Sequence, residues 1–220
     1  TSFIILHSRL PQAVVAMFCG ASLSVAGLML QTAFRNPLAG PSVFGITSGA
    51  SLAVAIVTLA VGTSTAIGGQ ITVVAAAFVG ATAVTALILA LSAIVRSGVM
   101  LLIVGIMIGY LSSSAITLLN YFASADGMRS YMLWGMGDFG AVSSEQLPVF
   151  VALSALALLS AVLLVKPLNA LLLGERYAES LGVDVVSVRN RLLLSTGLLS
   201  AVATAYCGPV AFLGLAVPHI

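Results

Sequence analysis

The side chains able to do chemistry are few and poorly placed for it. His7 and His219 stand at opposite ends of the chain. Neither has a partner at ligand spacing, so both read as interfacial or packing residues rather than metal ligands. Cys19 and Cys207 lie inside apolar stretches and read as small packing residues rather than a disulfide or metal site. No H-E-x-x-H and no G-x-S-x-G occurs, which removes the zinc-hydrolase and nucleophile-elbow arrangements. G-x-x-x-x-G-K-[ST] is absent too, and the single lysine, Lys166, is followed by Pro167. The chain therefore does not cradle a nucleotide phosphate by that device. No catalytic residue, metal site or cofactor is expected.

The elements that carry these residues are dictated by solvent. Sixty per cent of the 220 residues are hydrophobic and 6% are charged, with a mean hydropathy of +1.20. A water-facing domain carries about 25% charged residues, so most of this surface must meet lipid. The apolar runs, such as Val73–Val95 and Leu147–Val165, are continuous. A β-barrel strand would alternate over roughly ten residues, so the fold expected is an all-α transmembrane bundle. A formal charge of +2 without a basic cluster gives no reason to expect nucleic acid. No short charged region precedes a single apolar stretch, so a cleaved signal peptide is not supported.

About 20 apolar residues cross the hydrocarbon layer, and ionised groups punctuate the crossings. Spans are expected near 13–34, 45–61, 71–95, 99–122, 146–165 and 190–207, with a partial one from about 210. Asn36-Pro37-Leu38-Ala39-Gly40-Pro41 breaks the chain before the second span, and Gly62-Thr63-Ser64 with Gly68-Gly69-Gln70 after it. Residues 124–146, with Tyr131 and Trp134, suit an interfacial loop holding a short helix. Residues 169–184 suit a water-exposed helix stopped at Gly182. Alternating sides places Arg35, Arg96, Lys166, Arg176, Arg189 and Arg191 together against Arg9 and Arg129, which makes the first group cytoplasmic. The spans are read as free of Asp, Glu, Lys and Arg, against the habit of ion-coupled carriers. Gly45-x-x-x-Gly49 and Gly105-x-x-x-Gly109 are spacings that let helices approach closely. Gly40-Pro41-Ser42-Val43-Phe44 is echoed by Gly208-Pro209-Val210-Ala211-Phe212 after an oppositely directed span, a pattern of inverted-repeat transporters.

Several motifs carry a resemblance. They are Arg9-Leu10-Pro11, Gln31-x-x-Phe34-Arg35-Asn36-Pro37-Leu38-Ala39 and Gly45-Ile46-Thr47-Ser48-Gly49-Ala50. With them go Leu173-Gly174-Glu175, Ala178-x-x-Leu181-Gly182-Val183 and Gly208-Pro209-x-x-Phe212-x-Gly214-Leu215-x-Val217-Pro218-His219-Ile220. Together, over nearly the whole chain, they resemble the FecCD/BtuC family of ABC importer permeases.

The resemblance implies a ten-helix inner-membrane subunit that pairs as a homodimer with two ATPase subunits and an extracytoplasmic binding protein. About six and a half helices fall within 1–220, read as one permease domain that begins just before the second helix and stops within the eighth. It implies a cargo of ferric siderophore, haem or cobalamin, and alternating access. By position, Asn36 and Leu38 match one cytoplasmic constriction, and Ser97 and Gly98 the loop forming the other. Gly174, Glu175 and Arg176, within the coupling helices 169–184, match the contact with the ATPase. Arg9 matches an outward arginine that pairs with a carboxylate of the binding protein; the second arginine common three residues on is here Gln12. On composition alone, 169–184 reads equally as a solvated connector. An ion-gradient-driven secondary transporter and a membrane-embedded enzyme are the rival classes.

Overall fold

The computed structural model describes residues 5–61, 67–95 and 97–220. The break expected at Gly62-Thr63-Ser64 and the charge of Arg96 lie outside them. The described residues form helices joined by loops, without strands. A π-helical turn Ile5–Arg9 leads into α1 (Leu10–Phe34), and α2 (Ile46–Ala55) runs on as a π-helical turn Ile56–Val61. There follow α3 (Ile67–Ile94), α4 (Gly98–Phe122), α5 (Ala125–Gly135), α6 (Leu147–Val162), α7 (Val165–Leu172), α8 (Glu175–Ser180), α9 (Val185–Cys207) and α10 (Leu213–Ala216). Four helices among the described residues are long and apolar enough to cross a membrane: Ile5–Phe34, Gly69–Ile94, Gly98–Phe122 and Val185–Cys207. A fifth candidate crossing is the pair α6 and α7, bent by 47°.

Helix α9 is the hub. Its buried residues, from Val188 through Leu192, Leu199 and Val202 to Cys207, occur on every side of the helix, as a helix walled in by neighbours requires. Close approach is made by glycine. A methyl at Gly80 would strike the Gly49 carbonyl, one at Gly197 would strike Thr85, and one at Gly27 would strike the Gly214 carbonyl. The small-residue spacings seen in the sequence thus lie partly in packing seams. Hydroxyls inside the spans are satisfied mostly by their own helix: Thr85 and Thr196 donate to carbonyls four residues back, both at 2.8 Å.

The second expected span is not among these crossings: the apolar helix there, Ile46–Ala60, is shorter, and for a physical reason. After α1 the chain does not turn at the membrane face but re-enters, and Gly45 sits against Gly105 of α4. Gly105 is seven residues into that helix, about 10 Å at 1.5 Å per residue. Irregular backbone at such depth must find its own partners. Here Val43 and Phe44 donate to the Gly40 carbonyl and Ile46 to the Pro41 carbonyl. The second Gly-Pro break behaves alike, since both lead through a left-handed residue into a short helix. The residues are Gly45 (φ 75°) and Phe212 (φ 66°), one position out of step with the echo that pairs Phe44 with Phe212. Gln31, buried in α1, holds the second break by donating Nε2 to the carbonyls of Gly214 at 3.2 Å and Leu215 at 3.4 Å.

Two further expectations need correction. Residues 169–184 are not one helix: α7 ends at Leu172 and α8 starts at Glu175, with Gly174 (φ 119°, ψ 149°) between them. The final span starts at Val185, not near 190, so Arg189 and Arg191 ride in its first two turns, with Arg189 buried at 8% exposure. That span is not free of cations.

Candidate functional site

The segments expected to matter for function meet at one end of the bundle. A cleft of about 610 Å³ is lined by Phe34 and Arg35 from the end of α1, Ser97, Gly98 and Val99 from the start of α4, and Leu171 and Leu173 from α7 and its end. Gly174, Arg176, Tyr177 and Arg189 complete it. Of the residues singled out in the sequence, Ser97, Gly98, Gly174 and Arg176 therefore share one cavity. Asn36 and Leu38 follow its wall at Arg35. Of Glu175 only the backbone is among the described features.

Each residue is held by local backbone chemistry. Ser97 is the N-cap of α4, its hydroxyl accepting from the Met100 amide at 3.5 Å, the role for which serine is favoured. Gly98 opens that helix, and a methyl there would stand 2.7 Å from Cδ1 of Phe34. The Phe34 ring leans on Phe44, centroids 4.9 Å apart, and Phe44 is fully buried. The Asn36 side chain caps its own turn by accepting from the Leu38 amide at 2.9 Å, the usual asparagine device for a tight reversal. Leu38 itself is 69% exposed, so its side chain is available at that end.

Past Ser180, Gly182 (φ 79°) ends the α8 turn, as the sequence suggests. Asp184 then caps α9, accepting from the Ser187 hydroxyl at 2.6 Å and the Ser187 amide at 3.1 Å. These donors hold its carboxyl below the ordinary carboxylate range. Deeper in, Arg189 donates to the Ser92 carbonyl at 3.4 Å, and the Ser92 hydroxyl donates to Asn190 at 2.8 Å. These bonds tie α3 to α9 beside the cleft.

The opposite end differs in character. A second cavity, of about 530 Å³, is lined by Gln70, Trp134, Asp138, Gln146, Tyr206 and Gly208 among others. Arg9 is exposed at the start of α1. Val15 and Cys19, further along α1, pack with Val142, Phe150 and Cys207, which puts the N-terminal half of α1 toward this end. Arg9 and the arginine-lined cleft are thus apart, as expected. Helix α5 carries Tyr131, whose phenol burial pushes above its usual range. Among the described residues no group of three or more His, Cys, Asp or Glu could hold a metal.

Two features, one in the cleft and one on α4, escaped the sequence. Arg35 counted only as a charge, yet its guanidinium donates to the carbonyls of Leu171 at 3.3 Å and Leu172 at 3.1 Å. The exposed face of α4, with Met107, Tyr110, Ser113, Ser114 and Thr117, was also missed. Three hydroxyls within two turns of an otherwise apolar span were its signal.

Apolar helices long enough to cross a membrane, a bent helix pair and glycine-seated packing define a polytopic helical membrane protein. The FecCD transport family model matches residues 1–220, and the chain belongs to that family. It is 34% identical over 216 residues to the hemin transport system permease protein HmuU of Yersinia pestis, covering 98% of this chain and 65% of that protein. It is 37% identical over 217 residues to the vitamin B12 import system permease protein BtuC of Serratia proteamaculans, covering 96% and 62% respectively. The chain thus spans a little under two thirds of the length of these relatives. A solved structure described as an inward-facing conformation of a metal-chelate type ABC transporter superposes with a TM-score of 0.86 at 30% identity, over 98% of this chain and 68% of that one.

Proposed function

We propose that this chain is the core of the permease subunit of an ATP-binding-cassette importer, which passes a metal chelate across the cytoplasmic membrane by alternating access. The observation that carries the reading is the cleft: Phe34 with Arg35, Ser97 with Gly98, and Gly174 with Arg176, distant in sequence, line one cavity. A movement imposed on α8 would reach both constrictions, at Asn36–Leu38 and at Ser97–Gly98, through that shared wall. The positive-inside count makes this end cytoplasmic, where ATPase subunits would dock on α8 through Gly174, Glu175 and Arg176. Arg9, at the other end, would meet a carboxylate of an extracytoplasmic binding protein.

The motor would be two ATPase chains docked at that end; residues 1–220 themselves carry no loop of the G-x-x-x-x-G-K-[ST] form. The exposed face of α4 would line a path shared with a second copy of the subunit. That face bears hydroxyls and a phenol but no ionised group among its exposed residues. Such a surface lets a bulky chelate slide without holding it, and leaves affinity to the binding protein. We put ferric siderophore first as cargo, with haem and cobalamin as the alternatives; relatives named for hemin and for vitamin B12 match at similar identity.

The test is uptake of each labelled chelate into proteoliposomes holding the full-length subunit, its ATPase and its binding protein. Glu175→Ala with Arg176→Ala should leave ATP hydrolysis running while uptake falls. Normal uptake by this variant would remove the coupling assignment.

A further inference from the structure

The end of α1 carries an anomaly. Arg35 has φ 47° and ψ 39°, a left-handed conformation that costs a non-glycine residue about 1–2 kcal/mol. The hydrogen bonds form the usual left-handed helix ending: the Arg35 amide donates to Thr32 and the Asn36 amide to Gln31. Glycine or asparagine is the ordinary occupant of that position. An arginine there is a poor choice for the backbone, so the reason for it lies in the side chain.

The guanidinium crosses the cleft to the last turn of α7. It donates to the carbonyls of Leu171 and Leu172, which carry the partial negative charge of a helix C-terminus; the Leu171 carbonyl also accepts from the Gly174 amide at 3.1 Å, so arginine and helix break share that acceptor. Both bonds come from the one nitrogen Nη2, whose delocalised, weakly hydrated cation is easier to hold beside carbonyls than a compact ammonium. Its Nη2 lies 3.1 Å from where a Cβ on residue 174 would be. Gly174 therefore leaves room for the arginine and also takes a backbone conformation (φ 119°) that L side chains rarely adopt. One residue on from Arg35, Asn36 turns the chain toward Leu38. The break between α7 and α8, the guanidinium and the Asn36–Leu38 turn form one connected path.

We infer that Arg35 is the positioning residue that transmits movement of α8 to the constriction at Asn36–Leu38, as a latch between the α7–α8 break and the end of α1. The inference rests on the proposed importer reading and adds to it a single coupling residue. Without the latch, the α7–α8 pair would still meet the ATPase but would slip against α1.

The experiment uses the assembled importer in proteoliposomes and reads the ratio of chelate taken up to ATP hydrolysed, beside a thermal melt. Arg35→Gln is expected to keep ATPase activity and assembly while the ratio falls about tenfold, within the range by which coupled sites influence one another. Arg35→Lys, which keeps the charge but not the guanidinium, should fall between. Gly174→Ala is the second variant: it crowds the guanidinium with the arginine retained, but it also strains the φ 119° backbone of a residue placed in the ATPase contact, so it should lower the ratio at least as far as Arg35→Gln. A wild-type ratio in Arg35→Gln overturns the latch whatever Gly174→Ala shows. So does a proportional fall of uptake and hydrolysis, which marks a merely structural role. Absence of ATP-driven uptake by the wild-type assembly would instead overturn the importer reading, and the latch with it.

Discussion

Gly98→Ala is the sharpest small perturbation of the cleft. The position opens α4 with ordinary helical backbone, so the methyl adds volume and little else. It would stand 2.7 Å from Cδ1 of Phe34, about 0.7 Å short of the 3.4 Å at which ordinary contact begins. Phe34 cannot simply retreat, because its ring leans on Phe44. Phe44 is fully buried, and its backbone is seated on Gly105, where any added methyl would stand 2.7 Å from the Phe44 Cα. Overpacking of this kind costs about 1–3 kcal/mol. If one gate state bears that cost, the gate equilibrium shifts about 5–150-fold. Uptake in proteoliposomes should fall by a factor in that range, with ATP hydrolysis retained and melting temperature lowered. Phe34→Leu, by removing the ring edge, should restore part of the loss in the double variant. Wild-type uptake in Gly98→Ala, or no rescue by Phe34→Leu, would refute the wedge between these residues.

Other outcomes follow from the packing. Gly27→Ala places a methyl on the Gly214 carbonyl, a backbone group that cannot swing aside, and should lower stability in detergent by about 1–3 kcal/mol, read from thermal or denaturant melts. Gln31→Leu should cost about 1–3 kcal/mol in the same assay, because the carbonyls of Gly214 and Leu215 lose a buried donor. The start of α9 should be insensitive to pH near neutrality. Asp184 titrates below its ordinary value of 3.8 in the folded chain, so its capping contribution is complete above that value and is lost as pH falls through the lowered one. Hydrogen exchange at Val186–Val188 should therefore quicken only in strong acid, and Asp184→Asn should flatten that response.

Much of the architecture was legible because lipid leaves a chain few options. The uncharged run of α1, the Asn36–Pro41 break, the Trp134 segment and the stop at Gly182 all follow from where polar groups can find partners. The second span reads as a crossing in the sequence, whereas the apolar helix there is short, Ile46–Ala60: the seat of residues 36–45 depends on Gly105, far away in sequence. The break at Gly174 was hidden inside a pattern compatible with helix, since glycine two residues past Leu172 can equally well be tolerated within one. Arg189 was misplaced outside the last span because charge was taken to mark a helix end. In the bundle the Ser92 carbonyl of α3 accepts from Arg189, a partner that the arginine's position in the sequence does not announce. Arg35 shows the limit most clearly. Its type announces a charge at the membrane face, whereas its left-handed backbone and its reach to Leu171 and Leu172 are facts of tertiary structure.

The most direct measurement is site-specific cross-linking in the assembled importer. With Arg176→Cys on α8, or Arg129→Cys on α5, as the only reactive thiol-reagent positions, a short cross-linker should join residue 176 to an ATPase subunit, with a yield that changes when ATP is bound. Residue 129 should give no ATPase product. A product from 129, or from neither position, would contradict a cytoplasmic cleft driven by an outside motor.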